Sequence, residues 1–235
     1  MNGIYFIASG RKYLDEAILA IEQVRTVMPN VLIALCTDQV CFNNAIDYVI
    51  SLENPLYNFA DKVRYFKDTP FENTIFLDTD VFVTKDISGL FSLLERFDVA
   101  APHAPIEEDE LVDLPYAFAE PNSGVIVYKK TSDVLKMFSV YEEHYMYALE
   151  HYIKKENNIP PDQPSFRYAL YKNNISFVFL PHEYNCMIDF PCFLSGEVYI
   201  LHGHYGRATM QKMEKTINQY TGIRVYSPKN GILFD

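Results

Sequence analysis

The stretch "GIYFIAS" is an apolar run that stops at Gly10, and "YLDEAILAIEQVRTVMP" separates it from a second apolar run, "NVLIALCTD". Between the runs, Leu14, Ala17, Ile18, Ile21 and Val24 recur at helical spacing, and the period ends near Pro29. A strand, a helix and a strand in this order predict two parallel strands joined by a crossover helix, because parallel neighbours cannot be linked by a tight turn. Uninterrupted apolar runs also predict strands buried on both faces, so helices must cover both sides of the sheet. This opening restricts the chain to the α/β class.

The alternation continues through the short strand "DYVIS", a helix over "NFADKVRYFKD" and the strand inside "NTIFLDTDVFVTKD". A helix over "ISGLFSLLERF" and the strands "DVAAP" and "SGVIVYKK" come next. A long helix over "SDVLKMFSVYEEHYMYALEHYIKK" follows, with a break at "ENNIPP" and a helix over "DQPSFRYALYKN". Strands "SFVFLP" and "EVYILH", a helix over "ATMQKMEKTINQY" and a tail close the chain. No repeat, low-complexity tract or linker interrupts it, so one domain over residues 1–235 is expected, with a mixed, mostly parallel central sheet flanked by helices. The segment from His103 to Asn122 is long, acidic and aperiodic, the character of a lid or binding loop.

A net charge of -11 argues against nucleic acid or an anionic membrane as the main partner, so an anionic ligand needs a local basic site or a metal. Cys36 and Cys41, and Cys186 and Cys192, are spaced too widely for a structural zinc ribbon. The N-terminus is too short in apolar residues for a signal segment or a membrane span, so free thiols in a cytoplasmic setting are expected.

Against this background "IFLDTDVFV" is anomalous. Ile75, Phe76 and Leu77 precede, and Val81, Phe82 and Val83 follow, two carboxylates that would cost several kcal/mol if buried without compensation. A strand that stops at Leu77 puts Asp78 and Asp80 at the carboxyl rim of the sheet, where open α/β folds collect ligands. There, paired carboxylates suit a hard divalent cation shared with substrate phosphates; the structural alternative is a surface turn in which Asp78 meets a lysine.

These residues resemble the nucleotide-sugar-dependent glycosyltransferases of the GT-A fold, and glycosyltransferase family 8 in particular, where an apolar strand runs into Asp-x-Asp. The resemblance extends through several short motifs to about Arg207. It implies that Asp78, Thr79 and Asp80 meet a metal and the donor diphosphate, and that Ala8, Ser9 and Tyr13 in "FIASGRKYLDEA" contact the base and ribose. In "ADKVRYF" it offers a donor-binding cation, with Lys62 fitting the family's spacing best and Arg64 close behind. In "EPNSGVIVYKK", Asn122 and Ser123 would meet sugar hydroxyls while Gly124 admits a close backbone approach. In "PPDQPSF", Asp162 and Gln163 would lie near the reacting carbon, with helix capping as the alternative role of Asp162. In "VYILHGHYGRA", His202 would be the third metal ligand, with His204 its rival, and Gly206 and Arg207 would face the phosphates. The family's usual H-x-x-G-x-x-K-P-W ending is absent.

The function so implied is metal-dependent transfer, with Mn²⁺ or Mg²⁺, of a sugar from a UDP-sugar to a carbohydrate, lipid-linked or protein acceptor, with retention of configuration. An inverting enzyme would instead need one carboxylate as general base. Two alternatives remain open. A sugar nucleotidyltransferase would carry a Gly-rich basic phosphate loop where "ASGRKYL" stands, and an inactive GT-A module would keep the fold and bind a partner.

Overall fold

A computed structural model describes residues 1–105, 113–156 and 158–233. Residues 106–112, the acidic middle of the expected lid, lie outside the described residues.

The βαβ opening forms as its apolar pattern requires. β1 (Asn2–Ala8), α1 (Gly10–Val27) and β2 (Leu32–Thr37) lead to β3 (Tyr48–Ser51), and all three strands run parallel. α2 (Phe59–Tyr65) returns the chain to β4 (Asn73–Leu77), which joins the other side of β1, also parallel. β5 (Val81–Val83) leaves this sheet, whereas β6 (Val99–Pro102) and β7 (Val125–Lys129) rejoin it. After α3 (Ser132–Glu156) and α4 (Gln163–Lys172), β8 (Phe177–Leu180) completes a seven-stranded sheet of order β3-β2-β1-β4-β7-β6-β8. β7 alone is antiparallel to its neighbours, so the sheet is mixed and mostly parallel.

Alternate residues of the buried strands supply two cores. Ile4, Phe6, Ile75 and Leu77 face α1 on one side, whereas Tyr5, Phe76, Ile126 and Tyr128 pack with α2, α3 and α4 on the other. Burial on both faces is why these strands read as continuous apolar runs.

The rest of the chain builds two small sheets. β9 (Cys186–Met187), β10 (Cys192–Leu194) and β11 (Ile200–His202) precede α5 (Arg207–Ile217), β12 (Arg224–Ser227) and β13 (Gly231–Leu233). One sheet has the order β5-β11-β9 and the other β10-β12-β13. The expected tail is therefore partly a hairpin, whose three- and four-residue strands are too short to show alternation. The expected helix over "ISGLFSLLERF" is a 3-10 segment, Ser88–Glu95. Ile87 just before it and Leu90 and Leu94 within it are its buried anchors; three residues per turn align Ile87 with Leu90. Among the described residues, no helix is long and apolar enough to cross a membrane.

The two carboxylates of "LDTDV" stand where the chain passes from one sheet to another. The Asp78 N–H still donates to Gly124 O at 2.8 Å at the end of β4, and three residues later Val81 is paired antiparallel with His202 of β11. The apolar residues before and after belong to different sheets, and the junction turns the carboxylates out of the core at the carboxyl end of β4.

Candidate active site

Three side chains converge at this junction. Asp78 and Asp80 come from the turn after β4 and His202 from the end of β11, with one possible ligand atom from each lying within 4.8 Å of the others. His202 Nε2 is 3.2 Å from Asp80 Oδ1, and its Nδ1 is 2.7 Å from Asn185 Oδ1. An amide oxygen only accepts, so Asn185 takes the Nδ1 proton and leaves Nε2 to face the carboxylates. His204 is placed differently. It is 61% exposed against 8% for the His202 side chain, with Nε2 3.6 Å from Asp80 Oδ2 and Nδ1 3.3 Å from Glu16 Oε1.

The donor set fits a hard divalent cation: two carboxylates supply oxygen, and a neutral imidazole adds a nitrogen that Mn²⁺ accepts more readily than Mg²⁺. Gly124 is part of the cradle. A Cβ there would stand 2.3 Å from His202 Cε1 and 3.0 Å from Asp78 Oδ2, so any side chain would displace the histidine.

Lys62 is the cation built into the corner. Buried on α2, its Nζ lies 3.3 Å from Asp78 Oδ1, 3.0 Å from Asp162 Oδ2 and 3.2 Å from Ser123 Oγ. Burial opposes its charge, yet Asp162 and Asp78 outweigh that and raise its pKa. For Asp78, burial is the leading influence and raises the pKa; Lys62 opposes it and Asp80 adds to it. For Asp80, burial acts upward, but His202 outweighs it and holds the carboxyl well below the usual carboxylate range. His202 shows the reciprocal effect: burial pulls its pKa down, and Asp80 then carries it above its ordinary value.

Asp162 is the N-cap residue of α4, but its side chain makes no capping bond. It accepts instead from the Tyr141 hydroxyl at 2.5 Å and pairs with Lys62. Next to it, Gln163 Oε1 accepts from Asn122 Nδ2 at 2.5 Å, and Asn122 Oδ1 accepts the Gly124 N–H at 2.8 Å. Asn122, Ser123, Asp162 and Gln163 thus line one wall of a cleft of about 460 Å³, within the range of small-molecule sites. Lys62, Asp78, Thr79, Asp80, Gly124, His202 and His204 form its floor and corner, with Ser9 and Tyr13 farther along.

Four of the expected residues do not line this cleft. Ala8 packs in the core. Arg64 turns away and donates to the carbonyls of Asn54 and Glu53, because two helical positions separate it from Lys62 and residues so spaced do not share a face. Gly206 caps α5. Arg207 borders a smaller adjoining cavity that includes Thr79, Asp80 and His204, and its Nη2 is 3.3 Å from Gln23 Oε1 on α1.

The cleft also contains residues that sequence patterns do not reveal. Tyr57 lines it with φ of 56°, a conformation that costs a non-glycine residue roughly 1–3 kcal/mol. The buried Asp61 carboxylate holds that loop by accepting the N–H groups of Leu56 and Tyr57 at 2.8 and 2.7 Å. Asn185 and Tyr141, which orient His202 and Asp162, lie far from them in sequence and follow no motif spacing.

No protein-family model and no curated protein matches the sequence. Solved structures do match in shape. The galactosyltransferase LgtC, in complex with donor and acceptor sugar analogues, superimposes with a TM-score of 0.55 at 14% identity over 88% of each chain. The glycosyltransferase GlyE of Streptococcus pneumoniae TIGR4 gives a TM-score of 0.61 at 16% identity, covering 95% of this chain and 58% of its own. Mouse xyloside xylosyltransferase 1 gives 0.52 at 13% identity, over 87% of this chain and 98% of its own. The fold is therefore that of the GT-A glycosyltransferases, as the resemblance carried by "IFLDTDVFV" and its accompanying motifs had implied.

Proposed function

We propose that this chain is a metal-dependent glycosyltransferase that moves a sugar from a UDP-sugar to an acceptor hydroxyl with retention of configuration. The observation that carries the reading is the Asp78, Asp80 and His202 cluster at the carboxyl rim of the sheet, opening on a cleft of about 460 Å³. Held by these three residues, Mn²⁺ or Mg²⁺ would act as a Lewis acid that neutralises the departing diphosphate. Without a cation, three carboxylates facing one lysine would repel a diphosphate rather than bind it.

The remaining roles belong to the chain's own groups. Lys62 opposes the upward pull of burial and of Asp80 on the Asp78 carboxyl and pairs with Asp162. Ser9 and Tyr13 lie where the nucleoside would extend, and Asn122, Ser123 and Gln163 offer amide and hydroxyl groups to the sugar. The Gly206 and Arg207 turn would contribute to the diphosphate only after Arg207 leaves Gln23. Retention is favoured because Asp162 is committed to Lys62 and Tyr141, which makes it a poor general base for an acceptor, and Gln163 cannot act as one.

Thermal unfolding with a panel of nucleoside diphosphates tests the reading. UDP at about a hundred times its dissociation constant should stabilise the fold by about 2.7 kcal/mol when Mn²⁺ is present and not in chelator. Equal stabilisation in chelator would reject the metal bridge, and no stabilisation by any nucleoside diphosphate would reject the donor class. Product analysis with sugar nucleotides then separates transfer from nucleotidyl transfer and from an inactive module.

The two histidines should differ sharply. His202→Ala is expected to weaken Mn²⁺-dependent UDP binding by roughly 10–100-fold or more, because it removes a ligand held in place by Asn185. His204→Ala should change it by less than about threefold, since an exposed ring has no comparable support. Titration calorimetry that ranks the variants the other way would assign the third ligand to His204.

A further inference from the structure

Two thiols lie in contact behind the metal corner. Cys186 of β9 and Cys192 of β10 have their Sγ atoms 3.6 Å apart, and both are free. Cys186 is fully buried, and Cys192, with 9% of its surface exposed, is the less buried of the two. Beside them lies Arg224 of β12, 1% exposed. Its Nη1 donates to Gly222 O at 2.9 Å, but Nε and Nη2 have no hydrogen-bond partner among the described residues. A buried guanidinium with idle donors is costly unless negative charge develops near it. The hydrogen bond between the two thiols is the leading influence on both; burial and the Glu183 carboxylate oppose ionisation, and Arg224 favours the thiolate at each.

We propose that Cys186 and Cys192 are a peroxide-oxidisable thiol pair whose cross-link loosens β9 from β11. The Cys192 thiolate attacks a peroxide oxygen, the O–O bond breaks, and a sulfenic acid forms as the leaving hydroxide takes up a proton to become water. Cys186, deprotonated as it reacts, then attacks that sulfur; the S–O bond breaks, the S–S bond forms, and a second water leaves. Overall, two thiols and one hydrogen peroxide give one disulfide and two waters, with two electrons passing from sulfur to oxygen.

The connection to β11 follows from how the two cysteines are anchored. A disulfide requires the sulfurs to close by roughly 1.5 Å. β10 is held through three paired residues against β12, itself paired with β13, whereas β9 pairs with β11 through two residues, Cys186 with Leu201 and Met187 with His202. The two-residue strand is the one that yields. Next to it, Asn185 holds His202 Nδ1, and the Ile188 N–H donates to His202 O at 3.1 Å.

The experiment needs neither metal nor sugar nucleotide, so it stands apart from the proposed transferase activity. Reduced protein is treated with hydrogen peroxide, and thiols are counted after denaturation. The count should fall from four to two, with Cys186 and Cys192 joined in non-reducing peptide maps. Hydrogen exchange at the Ile188 amide should accelerate about tenfold or more, and dithiothreitol should reverse both changes. Cys192→Ser should abolish the cross-link and keep Ile188 exchange slow after peroxide. Four remaining thiols, oxidation confined to Cys41, a cross-link between chains, or a Cys186–Cys192 disulfide with unchanged Ile188 exchange would each overturn the proposal.

Discussion

Asp80→Asn is expected to reduce sugar transfer and donor hydrolysis by about a hundred- to a thousandfold, the scale seen when one preorganised stabiliser of developing charge is removed. The substitution keeps the side chain's size and removes its charge from the proposed cation site. Its effect on folding should be small because two changes oppose each other. Asp80 gives up its pairing with His202 at 3.2 Å, a contribution present above the unfolded carboxyl pKa and lost as pH falls through the depressed folded value. In return, the repulsion that Asp80 exerts on Asp78 disappears. Urea unfolding should therefore place the variant within about 1–2 kcal/mol of the parent chain. Product formation from a panel of sugar nucleotides measures the catalytic loss, and unchanged turnover in a folded variant would move the metal site elsewhere.

The residues of this site were not equally legible in the sequence. Asp78 and Asp80 stand out because carboxylates interrupt an apolar run, and the junction between two sheets supplies the physical reason for the interruption. His202 is readable as a histidine ending a strand. Between Lys62 and Arg64 helical geometry alone could have chosen: positions two apart differ by about 200° around the axis, so only one faces the sheet. Asn185, Tyr141 and Tyr57 could not have been found this way. Each acts through a contact made by chain topology rather than by spacing, as when β9 lies beside β11 and brings Asn185 to His202. The small strands β9, β10, β12 and β13 were also hidden, because two to four residues are too few to separate strand from loop.

Replacing Lys62 with Met should give the larger loss of stability, about 3–5 kcal/mol, the usual cost of removing one partner from a buried ionic cluster. Methionine fills nearly the same volume, so the loss reports charge rather than packing. It leaves Asp78 and Asp162 facing each other without the ammonium that now lies 3.3 and 3.0 Å from them, and it leaves Ser123 Oγ without its donor. Adding Asp162→Asn to Lys62→Met should recover part of the loss, since one of the two uncompensated charges is then gone. Residues that share a network commonly show coupling of about 0.5–3 kcal/mol in such a cycle. Mn²⁺ should stabilise the Lys62→Met chain more than the parent chain, because a cation held by Asp78 supplies charge that the lysine no longer does. Denaturant unfolding of the four chains of the cycle, with and without Mn²⁺, measures each of these differences. A single-variant loss below about 1 kcal/mol would mean that water reaches the two carboxylates and that Lys62 does not govern their charge.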